Sequence, residues 1–68
     1  MSLPTRDRLA ALPLHVVVRD YPETLAVFRR LGVDVPRRGG ESVSAAAGPD
    51  LVRVLDAVLE AIAWREGA

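Results

Sequence analysis

Prolines at positions 4, 13, 22, 36 and 49 and glycines at 32, 39, 40, 48 and 67 cut this 68-residue chain into short segments, save the last. Proline lacks an amide donor and clashes inside a helix, yet it suits the first helical turn. Glycine after an apolar run suits a helix end. The punctuation therefore predicts a series of short elements followed by one long one. In "SLPTRDRLAALP", Ser2 is a candidate cap, Pro4 an early helical position, and Leu9 and Leu12 one face of a short helix. In "LPLHVVVRDYP", three valines favour a strand by propensity. A strand needs a partner, and "ESVSA" is the sole candidate before the alanines begin. A helix instead places Leu14, Val17, Val18 and Tyr21 on one face, and this is the reading adopted.

The third segment, "YPETLAVFRRLG", has Pro22 at the first helical position, Glu23 in the first turn, Arg29 and Arg30 in the last, and Gly32 just beyond. Val33 and Val35 then alternate around Asp34 as an extended tether, in a loop over residues 32–41. Ser42 is set to cap a brief helix ending at Gly48, with Val43, Ala46 and Ala47 inward. The last segment opens at Pro49 and Asp50 and ends at Gly67. Its predicted stripe is Leu51, Leu55, Val58 and Ile62, widened by Val52, Leu59 and Ala63. Arg53, Asp56 and Glu60 mark the wet side, and Trp64 falls in line with it.

A chain this short buries only about 60% of the surface it exposes unfolded. Small domains therefore usually add a disulfide, a metal or a partner subunit. There is no cysteine, and His15 is the sole histidine, so association is the remaining aid for a chain that is 50% hydrophobic. Nine basic residues balance nine acidic ones. That balance predicts no nucleic-acid partner, which would call for a basic excess. No apolar run reaches the length of a membrane span, and no secretory leader is visible, so a cytoplasmic protein without a membrane role is expected. The expected unit is a single domain over residues 1–68, with residues 1–4 disordered or in part a cloning remnant.

The order of features is distinctive: a short apolar helix, Pro22, Val27-Phe28, Leu31-Gly32-Val33-Asp34, Gly39-Gly40, then a small helix with Ala46. Over residues 13–60 it resembles the N-terminal domain of the ScdA-type iron–sulfur cluster repair proteins and a related set of small helical domains. Those share a proline, Val-Phe, Gly-Ile-Asp-aromatic, two cysteines, Gly-Gly and a Leu-x-x-Ala helix. Here the aromatic is Val35, the cysteine pair falls on Pro36 and Arg37, Arg38 lengthens the loop, and the leucine is Val43. The resemblance implies a helical fold and a link to metal or nitrosative-stress repair. It does not carry over thiol chemistry, nor the di-iron site that a separate hemerythrin-like domain supplies in that family. Without thiolates the loop has no soft donor.

Several residues invite a functional reading. Arg37 and Arg38 could clamp an anion while Gly39 and Gly40 let backbone amides approach it. The phosphate-loop ending is missing, however, and Glu41 would compete with an anion, so a plain turn with solvated arginines is the simpler reading. Asp34 reads as a turn-shaping carboxylate. His15 lacks the convergent ligands a zinc site needs and reads as a rim residue. Ser2, Ser42 and Ser44 lack a nucleophile-elbow context. Asp56 and Glu60 share a helix face, with Arg53 placed for a local ion pair to Asp56. Neither a catalytic residue nor a metal or other cofactor is assigned. The apolar excess of the last helix points elsewhere. Tyr21, Leu55, Leu59, Ile62 and Trp64 are candidate interface residues, since the short helices alone are expected to be too few to cover that helix. The resulting expectation is an all-α bundle of four to five short helices with a longer C-terminal helix, forming a homodimer. It would act by protein–protein contact and would not be an enzyme. An anion-binding module built on residues 37–40 and an accessory factor in metal repair stand as alternatives.

Overall fold

A computed structural model describes residues 4–67; the readings made for residues 1–3, the Ser2 cap among them, lie outside the described residues. The first described helix, α1 (Arg6–Ala11), is capped by Thr5, whose hydroxyl accepts from the Arg8 amide at 3.2 Å. Pro4 therefore precedes the cap and is not part of the helix. Pro13 likewise stands just before α2 (Leu14–Asp20), and the three valines are helical as argued. Among the described residues there is no strand. One isolated antiparallel bridge joins Pro13 to Ser42, with the Leu14 amide donating to the Glu41 carbonyl and the Val43 amide to the Leu12 carbonyl, each at 2.9 Å.

Helix α3 (Thr24–Arg30) starts two residues after Pro22, because Pro22 and Glu23 form the preceding turn. The Thr24 amide and hydroxyl both donate to the Tyr21 carbonyl, at 2.9 and 2.7 Å. Gly32 closes the helix with φ of 80°. Its amide donates to Arg29 at 3.2 Å, and that of Val33 reaches back to Phe28 at 2.8 Å. This paired closure folds Val33 under the helix end, and Val33 and Phe28 are both buried.

The expected loop over residues 32–41 is partly helical. Asp34 caps α4 (Val35–Arg38) by accepting from the Arg37 amide at 3.3 Å, with Pro36 in the first turn. Cap and proline together nucleate one turn, so Val35 opens a helix and does not extend a tether. Ser42 caps α5 (Val43–Ala47), accepting from Ala45 at 3.1 Å. Gly48, with φ of 57°, begins a 3₁₀ turn (Gly48–Asp50) that leads into the 17-residue α6 (Leu51–Gly67). The fold is all-α, with five short helices and a longer C-terminal one.

Helix α6 packs against α1, α3 and α5, around Phe28, Leu9, Leu14 and Val17. Its buried residues are Val54, Leu55, Val58 and Ile62. Val54 was absent from the predicted stripe, whereas Val52 and Ala63, assigned to its margin, are exposed. The reason is the position of the neighbours. Successive residues turn by about 100°, and α1, α3 and α5 cover the arc through Val58 and Ile62, which includes Val54 and not Val52. No helix among the described residues is long and apolar enough to cross a membrane.

Candidate functional site

The glycine-rich connector holds a helix start. The amides of Leu14 and His15, which open α2 and have no partner within it, donate to the carbonyls of Glu41 and Gly39 at 2.9 and 3.0 Å. His15 Nδ1 also meets the Gly39 carbonyl, at 2.5 Å. A carbonyl only accepts, so Nδ1 carries the proton. Glycine suits this approach: a Cβ at position 39 would crowd the Val35 carbonyl oxygen at 3.1 Å, with the His15 Cβ at an ordinary contact distance of 3.5 Å. These carbonyl contacts carry no signal in the sequence, where Gly39 and Gly40 suggest amides free for a ligand. In fact the amides of Arg37, Arg38 and Glu41 already donate within the connector, to Asp34 and Arg38.

Arg37, Arg38, Asp34 and Glu41 line a cleft of about 620 Å³ beside Gly32. Arg38 Nε lies 4.0 Å from Glu41 Oε2, while Arg37 makes no ion pair among the described residues. Two guanidinium groups and two carboxylates thus balance across the cleft. Asp34 is the turn-shaping carboxylate the sequence suggested.

The five candidate interface residues separate. Leu55 and Ile62 lie in the subunit's own core, so they present no surface to a partner. The short helices do cover that side of α6. Tyr21 and Leu59 are half-buried against the same core. Trp64 is 73% exposed, as its place on the wet side implied. It stands at the edge of a groove between α3 and α6, with Val27 and Arg30 on one side and Ala57, Glu60 and Ala61 on the other.

Tertiary packing also rewires the charges of α6. Asp56 pairs with Arg6 of α1, not with Arg53 as the helical spacing suggested. Arg65 reaches Glu23 at 3.1 Å, tying the last turn of α6 to the start of α3. Arg53 and Glu60 are exposed and take part in no ion pair among the described residues. Asp56 is thus tied to α1 while Glu60 has no ion-pair partner among the described residues, so the two carboxylates do not act together. Among the described residues, no three His, Asp or Glu side chains converge to hold a metal.

Set against family models, curated proteins and solved structures, the chain matches none.

Proposed function

We propose that the chain is a cytoplasmic, non-enzymatic contact domain that self-associates as a homodimer, with Trp64 as its anchor. The observation that carries this reading is the 73% exposure of Trp64 at the rim of the α3–α6 groove. A tryptophan brings about 150–250 Å² of surface to a contact and is over-represented among residues that dominate binding energy. Arg30 and Glu60 supply the polar edge such a contact needs. Sedimentation equilibrium tests the reading: the native chain is expected to dimerise with rising concentration and Trp64→Ala to shift it toward monomer. A native monomer at high micromolar concentration contradicts it.

A second reading rests on the cleft beside Gly32, where Arg37 and Arg38 would hold a small anion with their side chains. Calorimetric titration with inorganic phosphate decides it: heat of binding that vanishes when both arginines are replaced by alanine supports it, and no heat removes it. Kinship with the repair-protein domain stays a proposal, supported by the ordered residues from Pro22 to Ala46. Metal-free protein from the native host would remove the accessory repair role.

A further inference from the structure

We propose that the dimer partner is a second copy docked antiparallel along α6, with Arg53 of each chain against Glu60 of the other. This inference rests on the self-association reading and gives it a register. Arg53 and Glu60 lie seven residues apart, two helical turns and about 10 Å along the axis, on the same side of α6 as Trp64. Both are exposed, and neither has an ion-pair partner among the described residues; Asp56, the carboxylate that helical spacing offers Arg53, is taken by Arg6.

The charge pattern selects the orientation. A parallel two-fold pairing sets Arg53 against Arg53 and Glu60 against Glu60, and both contacts repel. An antiparallel two-fold axis opposite residues 56 and 57 sets each arginine against the partner's glutamate, so one arrangement makes two attractive contacts at once. Half-buried Ala57 and Ala61 flank that axis and let the helices approach closely. The same register brings Trp64 to the start of the partner's α6, beside the preceding 3₁₀ turn that carries exposed Pro49. The chain has no lysine, and arginine suits such a pair because its planar fork matches a carboxylate.

The test is charge reversal with mixing, read by sedimentation equilibrium. Arg53→Glu alone and Glu60→Arg alone each convert two attractions into two repulsions, and each is expected to weaken the dimer by about tenfold or more. An equimolar mixture of the two variants is expected to restore dimer, since every facing pair is again opposite in sign. The double variant Arg53→Glu, Glu60→Arg is expected to self-associate like the native chain. Both side chains are exposed, so circular dichroism of each variant should match the native spectrum. If one variant loses that spectrum, Arg53→Gln and Glu60→Gln replace the pair, and each is expected to weaken the dimer less. Single reversals that dimerise as well as the native chain overturn the register and leave self-association standing. So does a mixture that stays monomeric while the native chain dimerises. A native chain that is monomeric throughout overturns both.

Discussion

Two valines two residues apart on α6 should respond to the same substitution with opposite signs. Val54 is 1% exposed and Val52 is 68% exposed. Val54→Ala removes two buried methyl groups, worth about 0.8 kcal/mol each by transfer, and leaves a small cavity. Alanine returns about 0.5 kcal/mol through its better helix propensity. The net loss is about 2 kcal/mol. Val52→Ala gives up little buried surface and keeps the propensity gain, so stability rises by up to about 0.5 kcal/mol. In a domain of this size 1 kcal/mol moves the melting temperature by about 4–8 °C. Val54→Ala should therefore melt about 8–16 °C lower, and Val52→Ala the same as native or slightly higher. Thermal melts by far-UV circular dichroism, at one low protein concentration, measure both. Equal losses at the two positions would refute the placement of α6 against α1, α3 and α5.

Other substitutions probe the helix ends. Gly32→Ala meets open space but must adopt φ of 80°, so it should cost about 1–2 kcal/mol in urea unfolding; Gly40→Ala, also in open space but without positive φ, should change stability by less than about 0.5 kcal/mol. Thr24→Val keeps the shape of a fully buried side chain and deletes its hydroxyl bond to Tyr21. The Tyr21 carbonyl retains the Thr24 amide, so the loss should be about 1 kcal/mol by the same measurement, and an unchanged midpoint would show that the hydroxyl bond adds nothing.

Local chemistry was the part of this fold that the sequence made legible. Ser42 as a cap, Gly32 as the residue past a helix end and the helical valines of α2 each follow from a few neighbouring residues. The structure departs from the sequence-based expectation where two local signals meet or where a distant helix decides. Asp34 and Pro36 announce a helix start, but Gly39 and Gly40 follow so soon that the segment reads as loop. Val52 and Val54 both border the apolar stripe, and only the placement of α1, α3 and α5 chooses between them. The candidate site divides in the same way. The exposure of Trp64 could be read from its alignment with Glu60, whereas Leu55 and Ile62 were assigned to an interface that the subunit's own core occupies. The role of the Gly39 and Glu41 carbonyls in holding α2 had no sequence signal, because backbone acceptors are common to every residue.

Trp64 is the only tryptophan in the chain, so its fluorescence reports on the proposed contact without labelling. A dilution series followed by emission maximum and acrylamide quenching tests self-association at the residue that would anchor it. The account predicts blue-shifted, poorly quenched emission at high concentration, moving to the red and becoming fully quenchable as the protein is diluted. Emission that is red and freely quenched at every concentration would contradict it.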